Sequence, residues 1–373
     1  MHVVINALSS RTGGGATYLK NLVRYLEPAE DLTVDVIAPS GLRLPGHPDI
    51  RIVQPRWPTR NPVLRTLWEV FVLPGYLRKH KADVLFCPGG VVSTAVPPGC
   101  RIVTMFRNMM PFDPDVVGSL PAGLGRLRVE ILRPVLLWSL ARADLVIFVS
   151  EFGKSAVSRL VSIKSSCIIR HGTSDDFRTA ADRLPWPAAL KSKSNYILYV
   201  SAFLPYKNHK AVIAAYAKLP EPVRHKYKMV FAGNSTGPQG DEVRAFIDRA
   251  GLAQQVIVLD EVSHESLPAL YRNADLIVFA SSCENCPNVL IEALGAGRPV
   301  LCSNVMPMPE IGGDAPRYFA PSDPEDLAQA ISDVLGNPVH AMDLARAAAK
   351  RCELFDVSIS ARDTWKRIRA LAP

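Results

Sequence analysis

Long apolar runs and paired cysteines are what this 373-residue sequence lacks. No uninterrupted apolar stretch reaches the ~18 residues of a membrane-crossing helix, so no span is expected. The seven cysteines, at positions 87, 100, 167, 283, 286, 302 and 352, are odd in number and scattered. They form no disulfide framework, and a reducing cytosol suits them best. Cys283 and Cys286 make a C-x-x-C, but no second Cys or His pair stands near it. Zinc or dithiol chemistry is therefore not expected there. Met1-His2 opens directly into a strand-like run, so no N-terminal signal is read and a cytoplasmic protein is expected. Aromatic residues are few, at 8%, and do not interleave with the basic ones. Nucleic acid is accordingly not an expected partner.

What is present is a globular composition, 48% apolar and 21% charged, with enough chain for two domains. The formal charge of +8 is unevenly spread. Residues 1–180 carry 22 Lys+Arg against 14 Asp+Glu, whereas residues 181–373 carry 21 of each. A basic first half points to an anionic partner there, a membrane surface or a phosphorylated acceptor.

Strand-like and helix-like stretches alternate. His2–Ala7 leads through Gly13, Gly14 and Gly15 into a helical stretch, Ala16–Leu26. The dinucleotide fingerprint fails, because the third glycine position is Tyr18 and the second strand, Thr33–Ala38, ends without an acid. The glycines either let the backbone approach a ligand or form a plain tight turn. Further short apolar runs are Ile50–Val53, Val84–Cys87, Ile102–Phe106, Leu145–Val149 and Cys167–His171. Helical stretches, including Pro62–Lys81 and Leu124–Arg142, lie between several of them. A polar segment with Pro185 and Pro187 reads as a linker, and the pattern then restarts at Tyr196–Ser201, Lys228–Ala232, Val256–Leu259, Leu276–Phe279 and Val300–Ser303. Such alternation predicts an α/β chain with two doubly wound parallel sheets.

The most informative stretch is Ser281–Val300. Glu284 and Glu292 stand with seven residues between them. Pro287 suits the first position of a helix, and Gly295 and Gly297 its end. Val289, Leu290, Ile291, Ala293 and Leu294 make that helix apolar nearly all round, and so buried. A carboxylate on a buried helix needs a partner. Side chains lean toward the helix N-terminus, so Glu292 should reach the helix start, where N–H groups and dipole favour a phosphate. Amides for a diphosphate and carboxylates for hydroxyls suit a sugar nucleotide. A plainer assignment stays open, with Glu284 as a cap and Glu292 paired to an arginine.

This stretch resembles the E-x7-E signature of the retaining glycosyltransferases of family GT4. The order that follows, Pro309–Ala315, Tyr318-Phe319 and Pro321–Ala328, is also similar to that family, and the likeness runs from about Tyr196 to Leu335. It implies the GT-B fold, two Rossmann-like doubly wound domains facing each other across a cleft. An acceptor domain over 1–175, a linker over 176–195, a donor domain over 196–354 and a helix over 355–373 crossing back to the first domain are expected. The resemblance further implies that Glu292 holds the ribose and Glu284, the catalytic candidate, the sugar. Lys207 falls on the family's lysine, although Ala202 replaces the usual arginine and Lys210 could compensate. With Asn285, Cys286, Pro287 and Asn288, Lys207 would bind the diphosphate, and Gly233 and Glu261 would lie at the nucleotide. Arg107 and Asn108 replace a histidine-aspartate pair on the acceptor side, where Ser150, His171 and the three glycines are also expected.

The activity so implied is transfer of a sugar from a nucleotide-sugar donor to a hydroxyl acceptor, with retention and without a metal. Asp113-Pro114-Asp115 is a D-x-D, which holds a metal in a different glycosyltransferase fold but reads here as a solvated turn. Pro62–Lys81 and Leu124–Arg142 place apolar residues beside basic ones. That pattern suits peripheral contact with the anionic inner face of the cytoplasmic membrane, and a lipid-linked acceptor, as well as simple cover for the sheet. A non-catalytic carbohydrate- or nucleotide-binding protein and a nucleotide-sugar epimerase stay open as other readings.

Overall fold

The computed structural model describes residues 1–11, 13–57, 59–178, 185–190, 193–260 and 262–371. The chain forms two compact units. One comprises Met1–His171 with Val357–Pro373, and the other Gly172–Asp356.

The first unit is built on a parallel seven-stranded sheet, ordered β3-β2-β1-β4-β5-β6-β7. Its strands are β1 (His2–Asn6), β2 (Thr33–Ile37), β3 (Ile50–Val53), β4 (Val84–Cys87), β5 (Arg101–Phe106), β6 (Leu145–Phe148) and β7 (Ser166–Ile168). The helices between them are α1 (Gly13–Arg24), α2 (Pro62–Phe71), α3 (Leu73–Lys79), α4 (Pro114–Ser119), α5 (Leu124–Arg142) and α6 (Glu151–Ser158). The central strands β4 and β6 are buried throughout, as continuous apolar runs require when helices cover both faces of a sheet.

The second unit has a parallel six-stranded sheet, ordered β10-β9-β8-β11-β12-β13. The strands are β8 (Asn195–Val200), β9 (Tyr227–Ala232), β10 (Val256–Leu259), β11 (Leu276–Phe279), β12 (Val300–Ser303) and β13 (Arg317–Phe319). Its helices are α7 (His209–Lys218), α8 (Glu221–Lys226), α9 (Pro238–Arg249), α10 (Leu267–Asn273), α11 (Asn288–Gly295), α12 (Met308–Gly312), α13 (Pro324–Gly336) and α14 (Pro338–Cys352).

A last helix, α15 (Val357–Arg369), belongs to the first unit. Trp365 is 4% exposed, and its indole N–H donates to the Leu22 carbonyl at 2.8 Å. Thr364 Oγ1 lies 3.2 Å from the Tyr18 hydroxyl.

Several local expectations shift. The glycine run is not a loop before a helix: Gly13, Gly14 and Gly15 are the first turn of α1 itself. The stretch Pro62–Lys81 is two helices, broken at Val72 just before Pro74. Part of the expected linker is packed, because Phe177 and Leu190 join the apolar core of the second unit. Residues 179–184 and 191–192 of that linker lie outside the described residues. The units divide between His171 and Gly172, and again between Asp356 and Val357.

One core position couples stability to pH. His209, at the start of α7, is 3% exposed and stacks on Phe203 (4.1 Å between centroids, 16° between planes) and Tyr199 (5.0 Å, 26°). Neither ring nitrogen has a hydrogen-bond partner. Burial, and then the charge of Lys207, push its pKa down to about 3. The folded state therefore holds fewer protons than the unfolded one between about pH 6.5 and pH 3, and stability is lost as pH falls through that window. Chemical denaturation from pH 7 to pH 4 is expected to show a slope that His209→Phe reduces. An unchanged slope in the variant would remove His209 as its source.

Candidate functional site

In a doubly wound sheet, ligands bind beyond the carboxyl ends of the strands, where the strand order reverses. In the second unit that point lies between β8 and β11. The loops leaving these strands, Ser201–Asn208 and Ala280–Pro287, are bonded to each other. Ser282 N donates to the Tyr206 carbonyl at 2.8 Å, and Asn208 Nδ2 to the Ala280 carbonyl at 2.8 Å. The Tyr199 hydroxyl donates to the Lys207 carbonyl at 2.7 Å, fixing that loop from beneath. Asn208 takes a left-handed conformation (φ 55°), which a short polar side chain tolerates. Between the loops, Lys207 Nζ pairs with Glu284 Oε1, their side chains 12% and 16% exposed.

Helix α11 follows. Pro287 is its N-cap rather than its first residue, and no side chain caps the helix, so Glu284 is not a cap. Gly297, with φ 61°, closes the other end. Gly295 is packed against Cys352: a Cβ there would lie 3.1 Å from its sulfur. Glu292 is 8% exposed. Its Oε2 accepts from the Tyr271 hydroxyl at 3.4 Å, and its Oε1 lies 3.5 Å from His264 Nε2. The same Tyr271 hydroxyl reaches the Val289 carbonyl at 3.3 Å, so the carboxylate leans back along the helix. No arginine pairs with it in these contacts. Asn285 is 3% exposed, Cys286 is half-buried, and the Oδ1 of Asn288 is buried without a hydrogen-bond partner.

The other donor-side expectations divide. Gly233 has φ 150°, and a Cβ there would lie 2.2 Å from the Ser201 carbonyl oxygen, so the approach of these loops requires glycine. Beside it, Arg244 holds Asp260 through two bonds of 2.6 and 2.7 Å. Glu261 lies outside the described residues. Ala202 is exposed, and Lys210 pairs with Glu242, so its charge is already engaged. Asp113 of the D-x-D caps α4, accepting from Asp115 N and Val116 N at 3.1 Å each.

In the first unit, Arg107 and His171 meet on one ring. The Arg107 guanidinium lies 5.2 Å from the centroid of Tyr18, and the His171 ring 5.5 Å. Burial, and then Arg107, push His171 well below the usual histidine range, so it stays neutral. Asn108 Oδ1 accepts from Met110 N at 3.1 Å, and Ser150 Oγ caps α6 by accepting from Gly153 N at 2.9 Å. Gly13 is left-handed (φ 59°), and a Cβ on Gly15 would meet Ser10 at 3.5 Å.

The residue pattern did not single out the partners of Glu292, His264 and Tyr271, which precede it in the chain by more than five helical turns' worth of sequence. Nor did it single out a cavity of about 410 Å³ in the first unit, lined by Asn6, Arg65, Glu69 and Arg128 among others. A signal existed for the latter: Glu69 is the lone acid in the stretch from 62 to 81, whose other charged residues are all basic.

Residues 12–177 match the family model described as Glycosyltransferase Family 4, and residues 181–351 that described as Glycosyl transferases group 1. The O-antigen chain mannosyltransferase B of Escherichia coli is 30% identical over 233 residues, 61% of this chain and 59% of that protein. The D-inositol 3-phosphate glycosyltransferase of Mycolicibacterium smegmatis is 29% identical over 171 residues, 44% of this chain and 38% of that protein. The matches thus span less than two thirds of these relatives' lengths. Among solved structures, sucrose-phosphate synthase from Thermosynechococcus elongatus superposes with a TM-score of 0.78 at 21% identity, covering 99% of this chain and 98% of that one. WaaG, a glycosyltransferase involved in lipopolysaccharide biosynthesis, superposes with a TM-score of 0.73 at 16% identity, covering 99% of each chain. At such identities the structures show the fold, GT-B. With one family model on each half, and two parallel α/β sheets beneath them, the chain belongs to the GT4 family of glycosyltransferases.

Proposed function

We propose that this protein transfers a sugar from a nucleotide-sugar donor to a hydroxyl of a glycan acceptor, with retention at the anomeric carbon. The observation that carries this is the Lys207–Glu284 pair at the β8/β11 reversal, beside the start of α11. A lysine and a helix N-terminus are suited to an anion that gains charge as it leaves. The orphaned Oδ1 of Asn288 is a buried acceptor that a ligand hydroxyl or N–H would satisfy. Glu284 is the carboxylate for the sugar, and Glu292, oriented by Tyr271 and His264, the one for the ribose. On donor binding Lys207 shifts from Glu284 toward the diphosphate, and Glu284 is released to accept from the sugar hydroxyls. Mannosyl transfer in polysaccharide assembly is the first reaction to test, since O-antigen mannosyltransferases are among the relatives.

The two glutamates should separate kinetically. Glu284 touches the group that changes during reaction, so Glu284→Ala is expected to lower kcat by about 100-fold. Glu292 touches a part that does not change, so Glu292→Ala is expected to weaken donor binding about tenfold with kcat largely kept. Steady-state kinetics with a panel of nucleotide sugars decides this, and equal, negligible effects from both would remove the site. Donor consumption without transfer to any acceptor would favour a different activity on the same fold, and a product that is still a nucleotide sugar would identify an epimerase.

The leaving diphosphate is stabilised here by Lys207 and α11 rather than by a metal. Activity is expected to persist in EDTA. Loss in chelator with restoration by Mn²⁺ or Mg²⁺ would instead assign a metal to the reaction.

We also propose peripheral contact of the first unit with an anionic membrane, and a lipid-linked acceptor. On α2, Val63 is 67% and Phe71 74% exposed; on α5, Leu124 is 85%, Ile131 54% and Trp138 52% exposed. Trp68 and Leu73, by contrast, face the unit's interior. Arg126, Arg128 and Arg133 accompany the exposed apolar residues on α5. Such a face suits the interface of an acidic bilayer, where each basic residue contributes ~1 kcal/mol and salt weakens the attraction. Co-sedimentation with acidic liposomes is expected at low salt, reduced by added salt and by Phe71→Ser with Leu124→Ser. Binding indifferent to lipid charge, or none at low salt, would point to a soluble acceptor.

A further inference from the structure

Another cavity of the first unit, of about 340 Å³, lies between the end of α1 and α15. Helix α1 runs back from the carboxyl end of β1 toward the amino end of β2, where Thr33 N donates to the Met1 carbonyl at 3.0 Å. Its last turn therefore stands at the end of the sheet opposite to the one where doubly wound folds bind substrates. The glycosyl transfer proposed above uses no residue of this cavity.

The floor is apolar. Leu26 and Trp365 are each 4% exposed, and the Trp365 indole is held against α1 by its bond to the Leu22 carbonyl. Tyr25 adds a half-buried ring. Along the rim, α15 presents Arg362, Lys366 and Arg369. Spacings of four and three residues place them one above another on a single helix face, where like charges repel. Lys366 and Arg369 lie in the last turn and complement the carbonyl end of α15. Arg362 is about two turns from that end, beyond the reach of this effect, so the helix dipole does not account for the row. Nor do neighbouring contacts cancel the charge. Arg362 Nη2 donates to the neutral Ser358 hydroxyl at 2.9 Å, and Arg369 Nη2 to the Glu27 carbonyl at 3.3 Å. The side chains of Glu27 and Asp363 complete the rim.

An apolar floor with a few polar groups of fixed kind describes a small-molecule site. The cationic row suits phosphoryl oxygens, which guanidinium groups bind bidentately and an ammonium binds as a point charge. The two carboxylates repel a bare anion but accept from hydroxyls. The floor suits the C–H face of a ring. We propose that this cavity binds a small organic phosphate, the monophosphate ester of a hydroxylated ring. Arg362, Lys366 and Arg369 hold the phosphoryl group, and Glu27 and Asp363 accept from the hydroxyls. Because α1 and α15 come from opposite ends of the chain, the ligand fastens the last helix to the first, and occupancy stabilises the first unit.

The full chain is titrated calorimetrically with glucose 6-phosphate, mannose 6-phosphate, UMP and GMP, with the matching hexoses and nucleosides, and with inorganic phosphate. At least one ester is expected to bind about tenfold more tightly than its unphosphorylated parent and than inorganic phosphate. Arg362→Gln with Lys366→Gln should remove that preference. Both side chains are exposed, and thermal unfolding confirms that the variant is folded. On binding, hydrogen exchange should slow at residues 25–27 and 362–369. A hexose phosphate that binds more tightly than either nucleotide identifies a sugar phosphate as the source, and the reverse order a nucleotide. Glu292→Ala, in the second unit, should leave the affinity for hexose phosphate unchanged; a loss there would place the ligand in the donor site and overturn the proposal. So would the absence of binding by every ester, a preference that survives the double variant, or inorganic phosphate binding as tightly as the esters.

Discussion

The ion pair between Lys207 and Glu284 is the contact on which the second unit's site depends. Both groups are mostly withdrawn from water, and a charge in that position is costly unless it is matched. Each sits on a loop that leaves one of the two adjacent strands at the sheet's reversal, β8 and β11. With the Ser282–Tyr206 and Asn208–Ala280 bonds, the pair holds these loops together beside the start of α11. Removing either partner would leave the other buried and uncompensated, at a cost of about 3–5 kcal/mol. The contact that holds the two loops together is also the one for which the proposed diphosphate would compete. Binding and local order are thereby linked through a single lysine.

A similar economy governs Glu292. It occupies a helix whose neighbouring positions are apolar core, so its carboxylate needs polar company from elsewhere. Tyr271 and His264 supply it from α10 and the turn before α10. These partners orient the carboxylate without an arginine, and it keeps lone pairs with which to accept from a ligand.

Helix α11 was legible because proline, glycine and an apolar run act locally, and both sheets were legible because strand and helix periodicities alternate. The spacing of Glu284 and Glu292 carried the family resemblance. What escaped the sequence depends on contacts between distant segments. Nothing local to Lys210 shows that Glu242 engages it. Nothing in a run of three glycines shows that they form the first turn of α1. Glu69 was hidden differently: it lies in a stretch whose apolar and basic residues suggest a surface helix. Burial of that face appears only once Asn6 and the end of β1 are placed beneath it.

The division of the chain bears on how the protein is made. The second unit is an insertion: residues 172 to 356 interrupt a unit that resumes at Val357. Where the chain enters and leaves the insertion, Thr173 N donates to the Phe355 carbonyl at 2.9 Å, and Thr173 bridges Asp356. On a ribosome, the inserted unit has all its residues once Asp356 emerges. The first unit, although begun earlier, then still lacks α15, and with it the indole that closes over Leu22. The order of completion during synthesis thus inverts the order of the sequence. The α1 face of the first unit is sealed only once α15 has been made.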